Sequence, residues 1–276
     1  MRDLLSSSLS RAVKDKVFWF CALAVSFLAV YALIQNYVYQ IKFEETYALD
    51  GMLFGYNLFV PFQCAVFCSL FLGTEYDHGV IRNKLIVGHT RASVYLANLI
   101  AAFVASVLMS LACLAVCAVL GTPMYGWLKM PVGFMATILV SSLLMIAAVC
   151  AVCTLCAMLI HKKALLAIVL LMGTLALMAV AISLQAGLDA PEFYPYAAEM
   201  VDGELVMMDD VANPRYLSGL KRDIYQFIYD FLPTGQAMQY NRGQADHPVL
   251  MCLSSIAITA VTTAAGLAAF RRKDIQ

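Results

Sequence analysis

Cysteine is the residue type best suited to chemistry in this sequence, and the chain has nine cysteines. Cys150, Cys153 and Cys156 have a spacing that is compatible with a metal site or a redox centre. No histidine or acidic residue lies in the same apolar stretch, so a metal ion would lack the usual additional ligands. We therefore interpret these cysteines as small apolar residues that pack one helix against another, and we expect no metal site.

The other residues that commonly act in catalysis are not grouped in the sequence. The acidic pair Glu44-Glu45 has no histidine in either neighbouring apolar stretch, which argues against a zinc site. The four histidines are scattered along the chain, at His78, His89, His161 and His247. A GxxxxGK[ST] loop is also absent, so the chain has no P-loop for ATP. The sequence predicts no catalytic residue and no enzyme.

The segment 73–91, GTEYDHGVIRNKLIVGHTR, combines acidic, basic and apolar residues. A plain connector has no need of apolar side chains, so we predict a short helix that docks against another surface. Gly79 and Gly88 would end this helix on each side, and Thr90 would cap the next one. From periodicity alone, docking on the chain's own helices or on lipid headgroups is an equal alternative.

Side-chain amides are rare in the apolar stretches, and the second stretch contains two of them. Asn57 and Gln63 flank Pro61, which lacks an N–H donor and is expected to kink a helix. These three residues are candidates for the lining of a translocation path. Hydrogen bonding between helices is the alternative that we favour for the two amides.

The elements that position these residues follow from six stretches without any Asp, Glu, Lys, Arg or His. They are residues 17–38, 51–72, 93–120, 132–160, 164–187 and 249–270. Each is longer than the roughly 20 apolar residues that a membrane-spanning helix needs. The chain is 62% hydrophobic and 13% charged, whereas soluble domains contain about 25% charged residues. We predict an all-α integral membrane protein with six spans, forming a single domain over residues 1–276.

The distribution of charge predicts the orientation of the spans. With the N-terminus inside, the inner segments contain 12 Lys and Arg residues and the outer segments contain 6. Positive residues accumulate on the cytoplasmic side of membrane proteins, so both termini are expected to be cytoplasmic.

Two further helices are predicted outside the spans. In residues 1–16, Leu5, Leu9, Ala12 and Val13 form an apolar stripe, which is typical of an elbow helix on the inner membrane surface. The outer loop 188–248 contains a second stripe that stops at Pro233-Thr234-Gly235. Its members are Leu217, Leu220, Ile224, Phe227, Ile228 and Phe231. Tyr225 and Tyr229 flank this stripe, and we predict a helix on or in the outer leaflet.

Three segments carry a resemblance to a known family. They are Glu75-x3-Gly79-x-Ile81-Arg82-Asn83-Lys84-Leu85-x2-Gly88-x2-Arg91-x3-Tyr95, Asn213-Pro214-x-Tyr216-x2-Gly219 continuing through Asp230-Phe231-Leu232-Pro233-Thr234-Gly235-Gln236, and Phe270-Arg271-Arg272-Lys273-Asp274-Ile275. Together with the six spans, they resemble the permease subunit of bacterial ABC exporters of the second class, the ABC-2-type permeases.

The resemblance implies that segment 73–91 is a coupling helix that contacts an ABC ATP-binding subunit. The implied contact residues are Glu75, Asp77, Ile81, Arg82, Lys84, Leu85 and Arg91. ATP and Mg²⁺ would be bound by a dimer of that partner, with no cofactor in this chain. A second permease copy or a related permease would complete the transporter in the bacterial cytoplasmic membrane, without a nucleic-acid partner.

The function that the resemblance implies is export of a hydrophobic or amphipathic substrate, such as a peptide, drug or lipid. A non-transporting sensor or scaffold, whose outer loop binds a partner, is the alternative. An intramembrane enzyme is disfavoured, because the spans contain no ionisable residue.

Overall fold

The structure is a computed structural model that describes residues 2–43, 49–194, 197–201, 204–208 and 211–272. Six helical segments in these ranges are long and apolar enough to cross a membrane. They are Lys16–Phe43, Leu49–Asp77, Arg91–Tyr125, Val132–Leu159, Lys163–Leu188 and Pro248–Arg272. The predicted all-α integral membrane protein with six spans is confirmed. The pair Glu44-Glu45 and residues 273–275 lie outside the described residues.

The helices are numbered α1 to α11 along the chain. They are α1 (Arg2–Lys14), α2 (Lys16–Phe43), α3 (Leu49–Leu53), α4 (Val60–Asp77), α5 (Val80–Ile86), α6 (Arg91–Tyr125), α7 (Val132–Leu159), α8 (Lys163–Leu188), α9 (Gly219–Phe231), α10 (Pro233–Asn241) and α11 (Pro248–Arg272). The main core lies between α2, α4, α6 and α7, around large buried side chains such as Phe67, Met109 and Met145. Helix α11 packs along α7 and also contacts α6.

The second span is divided, which the sequence did not predict. It consists of α3, a 3₁₀ segment at Gly55–Phe59, and α4. Pro61 therefore stands in the first turn of α4 instead of kinking a continuous helix. A missing N–H donor costs least in the first turn of a helix, because the N–H groups of that turn have no carbonyl partner within the helix. We predicted a kinked helix at Pro61, and the structure instead has an interruption of the span just before Pro61.

Helix α1 is present as predicted, but its buried face is different from the predicted stripe. The buried residues are Leu4, Ser8 and Ala12, whereas Leu5 and Leu9 are partly exposed. Small side chains at Ser8 and Ala12 let α1 lie close to α6, the helix that it contacts most. The structure thus shows α1 packed on the bundle, and its place at the membrane surface stays a prediction.

Two short antiparallel β-ribbons, which the sequence did not predict, lie between α8 and α9. Strand β1 (Phe193–Tyr194) pairs with β4 (Val211–Ala212), and β2 (Ala197–Val201) pairs with β3 (Glu204–Met208). Strands of two to five residues are too short to give a clear alternating pattern in a sequence.

The helix predicted before the last span is α9, and its apolar side faces outward. Leu220, Ile224 and Phe227 are 48 to 75% exposed. Tyr229, which was expected at the headgroup level, is instead buried, and its hydroxyl lies 3.3 Å from Oε1 of Gln185. An exposed apolar stripe over a polar inner face is the arrangement expected of a helix in contact with lipid.

Helix α10 follows α9 directly and is largely buried between α7, α8 and the 3₁₀ segment. Gly235 is required for this sharp turn, because a Cβ atom there would lie 2.1 Å from the carbonyl oxygen of Tyr229. A Cβ atom cannot lie so close to a carbonyl oxygen. Only glycine at position 235 therefore lets the backbone of α10 pass this close to α9.

Candidate functional site

The candidate site is built around α5, the short helix between the second and third spans. Gly79 and Gly88 lie on either side of it with φ angles of 63° and 99°, which glycine adopts without strain. The Oγ1 atom of Thr90 accepts a hydrogen bond of 3.2 Å from the backbone N–H of Ser93 and caps α6. The predicted short helix, its two glycine boundaries and the cap are therefore present.

Glu75, at the end of α4, is the centre of the site. Its side chain is 2% exposed and forms an ion pair with Arg11 of α1. Its Oε2 atom lies 3.0 Å from Nζ of Lys84, and it accepts a hydrogen bond of 2.8 Å from Nδ2 of Asn98. A buried carboxylate needs such partners to compensate for the loss of water. Through Glu75, four helices (α1, α4, α5 and α6) are joined at one point.

Lys84 is the link from α5 to this buried group. Its Nζ atom also donates hydrogen bonds to Oδ1 of Asn98 at 3.1 Å and to Oγ of Ser8 at 3.4 Å. Burial, with a smaller contribution from the charge of Arg11, lowers the pKa of Lys84 to about 7. Burial also lowers the pKa of Arg11, although Asp15 opposes this effect. We call the group formed by Ser8, Arg11, Glu75, Lys84 and Asn98 the Glu75 cluster.

The residues predicted to contact an ATPase divide according to their burial. Glu75 and Ile81 are 2% and 1% exposed, and neither offers a surface to a partner. Lys84 points into the Glu75 cluster, and Leu85 is half-buried. These residues hold α5 against the bundle, whereas Asp77 and Arg82 are exposed. Contact of the predicted residues with an ATPase stays a prediction.

Arg91, the last residue of the predicted contact set, joins two spans. Its Nη1 atom donates to the carbonyl oxygens of Phe270 and Arg271, at 3.1 and 3.2 Å. These carbonyl groups belong to the last turn of α11, where a positive charge is stabilising. Arg91 therefore ties the start of α6 to the end of α11.

The outward face of α5 contains apolar side chains that were not included among the predicted contacts. Ile86 and Val87 are 72% and 78% exposed, and they lie beside the exposed Arg82. We call Asp77, Arg82, Ile86 and Val87 the α5 outer face. Exposed aliphatic side chains beside a charged residue form a surface that can bind another protein.

Sequence reasoning also missed Ser8, Arg11 and Asn98 as members of the Glu75 cluster. Asn98 had a recognisable signal, because it is an amide within the otherwise apolar stretch 93–120. No pattern in the sequence indicated Arg11 or Ser8, because their partners, Glu75 for Arg11 and Lys84 for Ser8, are far away in the sequence.

The three candidate path residues have different surroundings in the structure. Asn57 is fully buried and donates from Nδ2 to the carbonyl oxygen of Phe54 at 3.0 Å. Gln63 donates from Nε2 to the carbonyl oxygen of Ser106 at 3.2 Å, which joins α4 to α6. Pro61 lines an apolar cavity of about 240 Å³ between α4, α7, α8 and α10. Gln63 thus makes the interhelical hydrogen bond that was the favoured alternative, and path lining stays a prediction.

The cysteines of α4 and α7 are buried against each other. The Sγ atoms of Cys64 and Cys150 are 3.8 Å apart, and both are within 3.4 Å of Oγ of Ser106. No group of three or more His, Cys, Asp or Glu side chains in the described parts of the chain has a metal-binding arrangement.

A second polar cluster lies at the other end of the bundle, where α9, α10 and α11 meet. Asp230 is fully buried, and its carboxylate accepts hydrogen bonds from Gln239 at 2.7 Å and Gln226 at 3.0 Å. Its Oδ2 atom lies 2.8 Å from Nδ1 of His247. Gln236 donates from Nε2 to the backbone oxygen of Asp230 at 2.9 Å. This network fixes α10 in the bundle.

Comparison with protein families gives a match that contains most of this architecture. A family model described as "ABC-2 family transporter protein" matches residues 12–184, which is more than half of the chain. The chain belongs to the ABC-2 transporter family. The resemblance noted in the sequence is confirmed, and the chain is a multi-pass membrane permease subunit of an ABC transporter. A comparison with curated proteins gives no match.

The family assignment covers the central part of the candidate site. The matched residues run from the end of α1 to the end of α8, and they contain Glu75, Lys84, Asn98 and the α5 outer face. ABC-2 permeases are transport subunits without catalytic activity of their own, and the family implies association with an ATP-binding subunit. The permease therefore needs a surface for that subunit.

Proposed function

We propose that this permease is the membrane part of an ATP-driven exporter and that the α5 outer face binds the ATP-binding subunit. The observation that supports this proposal is the two-sided construction of α5. Its inner side is fixed to three other helices by the Glu75 cluster, and its outer side exposes Ile86 and Val87 at 72% and 78%. A helix that transmits force must be rigid on one side and able to bind on the other.

The distribution of positive charge supports a cytoplasmic position for α5. The end of the bundle that contains α5 also contains α1, the turn between α7 and α8, and the last turn of α11. Contacts between Tyr76 and Met158, between Lys163 and Thr74, and between Arg91 and Phe270 join these parts. Most lysine and arginine residues lie in these segments, and both termini would then be cytoplasmic.

In this mechanism, ATP binding closes the partner subunits and moves α5. The ion pairs of Glu75 with Lys84 and Arg11 would pass this movement to α4 and α1, and Asn98 would pass it to α6. ATP and Mg²⁺ are bound by the partner, so the chain itself holds no cofactor. The complete exporter would contain an ATP-binding dimer and a second permease copy or a related permease, in the bacterial cytoplasmic membrane.

We infer that the transported substrate is hydrophobic or amphipathic. The buried side chains of the described spans are mostly apolar, and the main core contains large apolar groups such as Phe67, Met109 and Met145. A peptide, drug or lipid with substantial apolar surface would enter such an interior at lower cost than an ion. The outward direction of transport is part of the same proposal.

The proposal is tested with a double substitution on the α5 outer face. Ile86→Asp with Val87→Asp places charges where the partner is expected to bury aliphatic groups. We expect loss of copurification with the ATP-binding subunit, measured by affinity pull-down of the tagged permease, and loss of ATP-driven transport in vesicles. Both residues are exposed, so the thermal stability of the permease alone should not change.

A matched control is Val132→Asp, because Val132 is 80% exposed but lies at the opposite end of the bundle. This variant should keep its ATP-binding subunit. Undiminished copurification and transport in the Ile86 and Val87 double variant would contradict the assignment of this face.

A further inference from the structure

A small polar pocket lies at the end of the bundle that is opposite to α5. It is formed by the end of α8, the inner face of α9, and the end of α10 with the residues that follow it, and its volume is about 100 Å³. Small-molecule sites usually have a volume of about 300 Å³ or more. This pocket therefore has room for one polar group and not for a whole drug-sized ligand.

Three buried polar side chains, Gln185, Tyr229 and Gln239, line this pocket. The hydroxyl group of Tyr229 donates to Oε1 of Gln185 at 3.3 Å, and Nε2 of Gln239 donates to Oδ1 of Asp230 at 2.7 Å. Hydrogen bonds of this kind fix the side chains before any ligand arrives, which lowers the entropy cost of binding. The pocket is thus a built site and not a gap between mobile surface groups.

Four charged side chains of both signs also line the pocket. Arg222 and Arg242 supply guanidinium groups, and Asp189 and Asp246 supply carboxylates. Nη1 of Arg242 lies 2.9 Å from Oδ2 of Asp189, and these two side chains are 41% and 52% exposed. An exposed ion pair contributes little to stability, so its members can take a ligand as a new partner at small cost. Charges of both signs in one pocket match a ligand that carries both a phosphate and an ammonium group.

The pocket lies at the depth where the fifth span leaves the bilayer. Residues 164–187 contain no ionisable residue, and Asp189 is the first one after them. The polar headgroup layer begins where the hydrocarbon core ends. The charged groups of the pocket are therefore at the level of lipid phosphates and amines.

An apolar surface that suits an acyl chain runs along α8 from the pocket. Ile182, Leu175 and Ile168 follow Asp189 at a spacing of seven residues. This spacing is about two helical turns, or about 10 Å, and it keeps the side chains on one side of a helix. The three apolar side chains are 53%, 50% and 60% exposed, so they face away from the bundle. An acyl chain on this surface would lie outside the bundle, among the membrane lipids.

We propose that the pocket binds the headgroup of phosphatidylethanolamine and that this molecule stays on the permease as a resident lipid. Its phosphate pairs with Arg222 and Arg242, which are the groups with the best geometry for a phosphate. Its ammonium group donates to Asp189 and Asp246, and one acyl chain lies along the exposed side of α8. The lipid holds the ends of α8, α9 and α10 together, and it is distinct from the transported substrate.

The test uses the purified full-length permease in nanodiscs of phosphatidylcholine. A trace of phosphatidylethanolamine with a diazirine in one acyl chain is cross-linked by light, and the labelled residues are mapped by mass spectrometry. We expect labels at Ile182 and Leu175 and about tenfold less labelling when unlabelled phosphatidylethanolamine is added. Phosphatidylglycerol with the same chains should compete about tenfold less well, because it lacks the ammonium group and the carboxylates repel its charge.

Two substitutions test the headgroup contacts, and each has a matched control on α9. Arg222→Gln and Asp246→Asn each remove one charge from the pocket, and we expect about fivefold less labelling in each case. Lys221→Gln and Asp223→Asn remove the same charges from exposed neighbours that do not line the pocket. These two variants should be labelled like the natural chain.

Several results would overturn the proposal. Equal competition by phosphatidylglycerol would show that the pocket does not recognise the ammonium group, and equal labelling of all four variants would show that the probe contacts α8 only as bulk lipid. Displacement by soluble phosphoethanolamine alone would assign the pocket to a soluble ligand. Loss of the lipid on addition of ATP to the exporter, reconstituted with its ATP-binding subunit, would make the lipid a cargo. The competition tests use the natural chain, so they do not depend on the folding of any variant.

Discussion

At the scale of single residues, Glu75 determines how the permease holds α5. Its carboxylate has a permanent positive partner in Arg11 and a second partner, Lys84, whose pKa is lowered to about 7. Near neutral pH, Lys84 releases its proton more easily than an exposed lysine does. Arg11 and Asn98 then remain to compensate the charge of Glu75. The connection between α1 and α4 is therefore expected to be less sensitive to pH than the connection between α4 and α5.

The importance of Glu75 is tested by Glu75→Ala. This change leaves Arg11 and Lys84 close together without an anion. Removal of one partner of a buried ion pair costs about 3 to 5 kcal/mol, and we expect about 3 kcal/mol because Arg11 is 37% exposed. The measurement is the free energy of unfolding in mixed micelles. Glu75→Gln keeps hydrogen-bonding capacity and should lose less.

The control for Glu75 is its exposed neighbour Asp77. Asp77→Ala should change the free energy of unfolding by less than about 0.5 kcal/mol. If Glu75→Ala were as stable as Asp77→Ala, the Glu75 cluster would not be a structural joint, and Glu75 would again be a candidate for direct contact with the ATP-binding subunit.

The Glu75 cluster also shows which features of the site could not be predicted from the sequence. Spacing placed Glu75, Ile81 and Lys84 in the segment around α5 but could not give the direction of their side chains. That direction depends on Arg11 and Asn98, which are distant in sequence and contribute only when the helices are packed. The short helix, its glycine boundaries and the Thr90 cap were predictable, because each depends on residues within a few positions of one another.

At the scale of elements, the second span and α10 depart most from a simple six-helix arrangement. The hydropathy of residues 51–72 indicates that they prefer lipid to water. It is the same whether these residues form one continuous helix or are divided into α3, a 3₁₀ segment and α4. The division at Gly55–Phe59 becomes understandable only from the packing of the buried α10 against it. The side-chain amides of Gln236 and Gln239 in α10 donate hydrogen bonds to the backbone oxygen and the carboxylate of Asp230 in α9, which holds the two helices together.

The position of α10 is tested by Gly235→Ala. The added Cβ would lie 2.1 Å from the carbonyl oxygen of Tyr229, so α9 and α10 must separate. We expect a loss of about 2 kcal/mol in unfolding free energy, as is usual for overpacking of a well-filled site. Gly173→Ala in α8 is the control, because a Cβ atom there has no neighbour within 4 Å. A loss in Gly173→Ala equal to that in Gly235→Ala would contradict the close approach of α10.

At the scale of the whole molecule, the two ends of the bundle differ in construction. One end has the basic residues of α1, α5 and the α7–α8 turn, together with the Glu75 cluster. The other has α9, α10 and the β-ribbons, with the network around Asp230. In the proposed exporter, one end would bind the ATP-binding subunit and the other would release the substrate. The orientation of the bundle is therefore the property on which the function of both ends depends.

Orientation is tested by labelling two single-cysteine additions with a maleimide that does not cross membranes. Arg82→Cys is on the α5 outer face, and Arg215→Cys is in the exposed segment before α9. In intact cells, we expect labelling of Arg215→Cys only, because the basic end of the bundle should face the cytoplasm. In inverted membrane vesicles, we expect labelling of Arg82→Cys only. The nine natural cysteines are seven buried and two partly buried, so background labelling should be low. Labelling of Arg82→Cys in intact cells would place α5 outside and would exclude it as the contact for a cytoplasmic ATPase.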